Sequence, residues 1–285
     1  MSLTLRPGAP NDATACGKIC FQAFFAVSKA HNFPPDFPSA EVAIGVLSGM
    51  LSHPKFYSVI AELDGRIVGS NFLDERNIIG GVGPITIDPA AQNRAIGRRL
   101  MEDVHDRAVH RSLPGVRLIQ AGYHSRSLSL YAKLGYDARE HLACLQGPAL
   151  KVTIPGFAVR PAIEEDLEVC NALCQTVHGH DRGGELSDAI KKGSATVVEH
   201  NGRVTAYATL IGFFGHAVAE TDDGLKALIG AVAEFPGPGF LLPTRNGELF
   251  RWCLDAGLRI VQPMTLMSKG MYKEPAGAFL PSILY

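Results

Sequence analysis

Gly83-Pro-Ile-Thr-Ile-Asp-Pro-Ala-Ala-Gln-Asn-Arg-Ala-Ile-Gly-Arg-Arg-Leu100 reads as a strand, a turn and the start of a helix. Ile85, Thr86 and Ile87 are β-branched and suit the end of a strand. Asp88-Pro89 closes it, because proline restricts the residue before it and cannot donate to a ladder. A helix is expected from near Ala95 to about His110, with Ile96, Leu100, Val104 and Ala108 on one face. Between strand and helix lies Gln92-Asn-Arg-Ala-Ile-Gly97, whose small residues let backbone amides approach a ligand closely. The amides of a helix start, with the positive end of its dipole, suit a phosphate. Arg94, Arg98 and Arg99 add positive charge where arginine is ordinarily unfavourable, which points to an anionic partner.

Working outward, Leu3-Thr-Leu-Arg-Pro7 reads as a strand, and Asn11-Asp12 opens a helix through Cys16, Ile19, Cys20 and Phe24 to about Lys29. Asn32-Phe-Pro-Pro-Asp-Phe-Pro38 is a proline-rich loop. A second helix follows from Ser39 to about Ser52, with Ser39 as N-cap and Glu41 near the positive end. Phe56–Glu62 and Arg66–Leu73 are strands joined at Leu63-Asp-Gly65, a hairpin turn. Beyond the opening stretch come a strand Val116–Ala121, a short helix Arg126–Leu134 and a strand Tyr136–Leu145. The order over residues 3 to 147 is β, α, α, β, β, β, α, β, α, β, an α/β fold able to bury its own core.

The remainder repeats this pattern. Leu5-Arg-Pro, Asp12, Cys16 and Cys20 recur as Val159-Arg-Pro, Asp166, Cys170 and Cys174. Asp64-Gly-Arg-Ile67 recurs as Asn201-Gly-Arg-Val204, and Lys133-Leu-Gly135 as Asp255-Ala-Gly257. The offset shrinks along the chain, as expected of a duplication whose second copy lost loop residues. Two tandem domains follow, 1–148 and 156–285, joined through Val152-Thr-Ile-Pro-Gly156.

The composition, 46% hydrophobic and 19% charged over 285 residues, is that of a soluble globular protein. A net charge of −1 argues against a nucleic-acid binder. No apolar run or leader marks a membrane or secreted protein, so a cytoplasmic location is expected. The cysteine pairs Cys16/Cys20 and Cys170/Cys174, each on one helical face, read as buried thiols because partners at metal-finger spacing are missing. No metal is expected.

The stretch Gln92, Asn93-Arg94, Ala95, Ile96, Gly97 resembles the acyl-coenzyme A signature of the GNAT N-acetyltransferase superfamily, with Ala95 where that family usually has glycine. The element order of the first domain is that of the family. The resemblance implies a fold of two tandem GNAT-like domains, each a mixed, mostly antiparallel sheet flanked by helices. It implies that Ile85, Thr86 and Ile87 offer main chain to the pantetheine arm, and that the segment Gln92, Asn93, Arg94, Ala95, Ile96, Gly97, Arg98 receives the pyrophosphate, crowded there by the Ala95 methyl group. His124, Ser127, Tyr131, Gly135 and Tyr136 fall on the second signature, with His124 and Ser127 departing from the usual Asn and Ala. Tyr131 then falls where the family keeps the tyrosine that protonates the leaving thiolate. A phenol of pKa ~10 is protonated at neutral pH and suits that task. For the general base, Glu62, Asp74 and Glu75 are the acids near strand ends.

In the second copy, Thr221-Asp-Asp-Gly-Leu-Lys226 carries no such signature, and Cys253 stands at the tyrosine position. That copy is expected to be degenerate, without a cofactor site. The expected activity is direct transfer of an acetyl group from acetyl-CoA to a primary amine of a small molecule or peptide. Nucleic acid and membrane are not expected as partners, and a homodimer is compatible with the chain. The alternative is a catalytically inactive coenzyme-A-binding sensor or scaffold. The tail residues Phe279, Leu280, Ile283, Leu284 and Tyr285 are too apolar to leave in water and are expected on a domain seam, near the acceptor cleft or in the second sheet.

Overall fold

The computed structural model describes residues 2–285; Met1, the first residue of the expected domain 1–148, lies outside them. The first half runs β1 (Leu3–Pro7), α1 (Ala13–Ala30), α2 (Ala40–Ser52), β2 (Phe56–Leu63), β3 (Arg66–Asp74), β4 (Ile79–Val82), β5 (Thr86–Ile87), α3 (Ile96–His110), β6 (Gly115–Ala121), α4 (Ser125–Lys133) and β7 (Asp137–Gln146). The second half runs β8 (Phe157–Pro161), α5 (Leu167–His178), α6 (Gly183–Lys191), β9 (Thr196–His200), β10 (Arg203–Ala208), β11 (Ala217–Ala219), α7 (Asp222–Ala231), β12 (Phe240–Pro243), α8 (Gly247–Asp255), β13 (Arg259–Gly270) and β14 (Ala278–Leu280). The same plan thus occurs twice, with two differences: where one strand is expected before α3 the first half has two, β4 and β5, against β11 alone in the second half, and β14 has no counterpart in the first. The first sheet is mixed through the parallel β4–β6 pair, the second is antiparallel throughout, and helices flank both.

Local chemistry accounts for the individual elements. Ser39 caps α2, its side chain accepting from the Val42 amide at 3.4 Å. The two hairpin turns place Asp64 and Gly65 at φ 50° and 79°, and Asn201 and Gly202 at 51° and 74°. Such left-handed pairs are what Asp-Gly and Asn-Gly supply in two-residue hairpins. Ile96, Leu100, Met101, Val104 and Ala108 form the buried stripe of α3 against the first sheet.

One arrangement recurs in both halves and marks them as copies. Arg6 grips Asp12 at 2.8 Å and Glu62 at 2.8 Å, while Asp12 also accepts from the Ala9 amide at 2.9 Å. Arg160 grips Asp166 at 2.6 Å and Glu199 at 2.7 Å, while Asp166 accepts from the Ile163 amide at 2.9 Å. In each copy one guanidinium ties the first strand to its neighbour and to the turn that starts the first helix. All six cysteines are buried and unpaired.

The sheets do not divide where the repeat divides. The first has nine strands in the order β1-β2-β3-β4-β6-β13-β7-β12, with β5 paired to β3; the second has five, β14-β11-β10-β9-β8. β13, from the second half, lies antiparallel between β6 and β7 and faces both at Thr265 (Gln120 and His141). β7, from the first half, is held between β13 and β12. Successive residues of β7 face opposite sides of the sheet. Leu142 and Cys144 therefore join a core with Leu241, Met264 and Leu266, whereas Ala143 and Leu145 enter the core of the second half. The exchange makes the seam between the copies a hydrophobic core. In the tail, Phe279 and Leu280 are buried within β14, and Tyr285 lies in the seam core; each such side chain is worth ~1.5–3 kcal/mol as an upper bound.

Candidate functional site

β4 and β6 pair in parallel only from Ile79↔Gly115 to Gly81↔Arg117. Beyond Gly81 the two strands part: β5 pairs with β3 alone, and the far end of β6 with β13. Residues from Val82 to Ile87 on one side and Leu118 to Ala121 on the other line a cavity of about 380 Å³ between them. The parted strands leave main-chain groups facing a space that a linear ligand can enter.

One end of this cavity is the N-terminus of α3. Its first helical bond runs from the Arg99 amide to the Ala95 carbonyl at 3.2 Å, so the amides before Arg99 are the orphan donors of the helix. The turn ahead of it is left-handed at Asn93 (φ 65°) and at Ala95 (φ 57°). Asparagine adopts that conformation readily, but for alanine it costs on the order of 1 kcal/mol. To the crowding expected from the Ala95 methyl group the structure thus adds a second consequence, strain in the backbone itself. Gly97 packs the helix start onto β5, where a Cβ would lie 3.2 Å from Ile87 Cδ1.

Of the residues singled out above, Ile85, Thr86, Ile87, Gln92, Asn93 and Ala95 line this cavity. Ile96, Gly97, Arg98, His124, Ser127 and Tyr131 line it as well, and Arg94 does not. Arg98 also reaches Glu102 at 3.5 Å, whereas Arg99 turns back to the Leu3 carbonyl at 3.3 Å. Arg126, not anticipated, donates to Gln92 Oε1 at 3.0 Å and ties α4 to the turn. Ser127 Oγ and His124 Nδ1 are 2.7 Å apart. Burial, with the charges of His31 and Arg126, holds His124 below the usual imidazole pKa. Tyr131 is buried, and that burial pushes its phenol up to about 12, with a hydrogen bond to Ser127 acting the other way. It is therefore a proton donor throughout the neutral range.

The acids considered as general bases lie elsewhere. Glu62 belongs to the Arg6 lock. Asp74 holds Arg76 at 2.6 Å, and Glu75 holds Arg107 at 2.5 Å and Arg111 at 3.3 Å. None of the three lines the cavity. Among the lining residues the only acid is Asp36, from the loop between α1 and α2. Gln262 on β13 donates to its Oδ1 at 2.7 Å, and Tyr123 donates to Gln262 Oε1 at 3.1 Å. Phe33 stacks on Tyr123 with centroids 4.1 Å apart, fixing the loop against the β6–α4 connection. Burial raises the Asp36 carboxyl above the usual carboxylate range, the Gln262 bond opposing it. The sequence carried a signal for this residue: a lone carboxylate within Phe33-Pro-Pro-Asp-Phe37, an otherwise apolar loop.

The second half reaches into the same cavity. Phe213 and Phe214 from the β10–β11 loop, Met264 from β13, and Ile283 and Leu284 from the tail all line it. The tail runs so close to β4 that a Cβ on Gly81 would collide with the Leu284 carbonyl oxygen. At the equivalent place in the second half, β14 pairs along β11 from Ala217↔Leu280 to Ala219↔Ala278. There α7 opens with Asp222 and Asp223, and Asn246 donates to Asp222 at 2.6 Å. Cys253 is fully buried. Among the described residues no group of three or more His, Cys, Asp or Glu is arranged to hold a metal, and no helix is long and apolar enough to cross a membrane.

Residues 54–138 match the acetyltransferase (GNAT) domain family model, and the chain therefore contains a GNAT acetyltransferase domain. No curated protein matches the chain. Among solved structures, a proposed acetyltransferase from Pyrococcus horikoshii is 15% identical, with a TM-score of 0.76 over 97% of this chain and 92% of its own. A GCN5-related N-acetyltransferase from Sphaerobacter thermophilus is 16% identical, with a TM-score of 0.62 over 95% of this chain and 96% of its own. At such identity the likeness concerns the fold, and it extends over both halves.

Proposed function

We propose that the chain is an acyl-CoA-dependent N-acyltransferase that moves an acetyl group from acetyl-CoA directly to a primary amine, using a single site in its first half. The observation that carries this reading is the continuity of one cavity. It runs from the orphan amides of α3, through the gap between β5 and β6, past Tyr131, to the half-buried carboxylate of Asp36. The residues fit the donor: helix-start amides with Arg98 and Arg126 for phosphates, and apolar strand walls with open main chain for a pantetheine arm. Arg94 is left out of this reading as a direct contact. In it, Gly97 admits the phosphates, Gln92 is held by Arg126, and Ser127 and His124 border the arm. Tyr131 is the general acid, donating its phenolic proton to the departing sulfur. Glu62, Asp74 and Glu75 take no part, being held by arginines. The second half supplies a wall and no second site.

The test is release of free thiol from acetyl-CoA in the presence of primary amines, compared between the wild type and Tyr131→Phe. The reading predicts amine-dependent thiol release that the substitution slows while acetyl-CoA affinity holds. Acetyl-CoA binding without transfer to any amine would instead favour a sensor.

A further inference from the structure

The acceptor end of the cavity has an unusual balance of chemistry. Its walls there are Phe24, Phe37, Phe213, Phe214 and Ile283, with Asp36 as the only acid. Asp36 makes no ion pair with any described residue; its Oδ1 takes the neutral Gln262 amide at 2.7 Å, and its Oδ2 accepts nothing from the described residues. A carboxylate partly withdrawn from water among apolar walls, with no cationic partner, is costly to keep charged, and an ammonium group on a ligand would supply the missing charge. The neighbouring titratable groups, Cys20, Cys144 and Tyr123, are all neutral at ordinary pH, so none of them supplies it.

We infer that the acceptor is a small primary amine on an apolar or aromatic body, its ammonium held by Asp36 and its body packed among the phenylalanines of both halves. This deepens, and rests on, the transferase reading. Polyamines and aminosugars fit poorly. A polyamine would leave further ammonium groups facing apolar walls, and an aminosugar would leave hydroxyls there unpartnered. Asp36 then has a second task, because the nitrogen attacks only when neutral. The ammonium passes one proton to the Asp36 carboxylate. The nitrogen lone pair forms the N–C bond to the acetyl carbonyl, the C–S bond breaks, and the sulfur takes the Tyr131 proton. The second nitrogen proton, shed as the amide forms, restores Tyr131, and the proton on Asp36 leaves to solvent. The sum is amide, free thiol and one proton.

The experiment compares 2-phenylethylamine, spermidine and glucosamine as acceptors for wild type and Asp36→Asn, with acetyl-CoA affinity measured by calorimetry on both proteins. The introduced amide keeps an oxygen for Gln262, so the substitution removes charge and retains the loop tie. Expected are a preference for 2-phenylethylamine and a loss of at least about 10- to 100-fold in its kcat/KM in Asp36→Asn, the value of one charge-assisted contact, with loss of the proton acceptor adding to it. Acetyl-CoA affinity is expected to stay unchanged. Independently of any variant, 2-phenylethylamine is expected to raise the melting temperature of the coenzyme-A-loaded wild type, and the uncharged 2-phenylethanol is not. Preference for spermidine or glucosamine, equal stabilisation by the alcohol, or an unchanged kcat/KM in folded Asp36→Asn would overturn the inference while leaving the transferase reading intact. Absence of acetyl-CoA binding by the wild type would overturn both.

Discussion

The two halves of this protein repeat one plan, yet they treat the same gap in opposite ways. In the first half, the strands after Gly81 part and leave a cavity between them. In the second, the exposed edge of β11 is covered by β14, a strand from the end of the same chain, which also packs beside β12. The helix that follows differs in the same sense. α3 opens with small residues and Arg98, whereas α7 opens with Asp222 and Asp223, whose negative charge suits the positive end of the helix and repels a phosphate. What the copies share is the scaffold: the Arg6–Asp12–Glu62 lock and its counterpart, Arg160–Asp166–Glu199. The contrast teaches that the fold and the site are separable. A handful of ion pairs and turns keeps the fold, while, on the proposed function, a few residues at one helix start and one strand gap decide whether there is a site.

Gly97→Glu should break the contrast most severely. It places bulk beside Ile87 and negative charge at the α3 amides, and acetyl-CoA affinity should fall beyond detection in a protein that still melts cooperatively. Calorimetry that finds wild-type affinity in this variant would remove the α3 turn from the site. Tyr131→Phe should be next, slowing turnover by ~10²–10⁴-fold with acetyl-CoA affinity kept. Cys253→Ala at the matching place in the second half should leave turnover per folded molecule unchanged. Equal effects at the two positions would mean that the halves are not functionally distinct.

Much of this was legible because it is local. The β-branched run, Asp88-Pro89 and the small residues up to Gly97 sit within a short stretch, so strand, turn and helix follow from neighbouring residues. The duplication was legible for the same reason, since Arg6–Asp12 and Arg160–Asp166 each lie within one turn of chain. The strand exchange was not. β13 reads as a strand whichever strands flank it, and nothing in its sequence says that its neighbours are β6 and β7. The acids failed for a related reason: Glu75 reads as a free strand-end carboxylate until α3 brings Arg107 onto it. Asp36 does not stand out in the sequence because a loop acid reads as solvated, and only Gln262, far along the chain, together with the phenylalanines around it, draws it into the cavity wall.

Smaller effects sharpen the comparison. The second half buries His178, His180 and His216, all held below the usual imidazole pKa mainly by burial, the latter two down to about 4. Their unfolded pKa of ~6.5 means that, on acidification, the unfolded chain takes protons first. The stability they contribute is thus present above about pH 6.5 and is lost as pH falls toward 4, by about 2 kcal/mol between roughly pH 7 and pH 5 for His180, with the same direction for His178 and His216. In the first half, burial and the Lys269 charge hold His105 down to about 4, so it acts in the same direction. Denaturant melts across this range should show the decline; a flat profile would contradict it. Ala95→Gly should give the least change, a gain of ~0.5–1 kcal/mol from relief of the left-handed alanine, offset in part by the freedom glycine gains when unfolded. A clear loss of stability would show that the methyl group packs better than its backbone suggests.

The central claim, one working site in a duplicated chain, is tested most directly by calorimetric titration of the full chain with acetyl-CoA. The account predicts a stoichiometry of one per chain, falling to none in Gly97→Glu, because β14 covers the second gap and Asp222 and Asp223 guard its helix. Two equivalents bound per chain, or one equivalent surviving in Gly97→Glu, would contradict it.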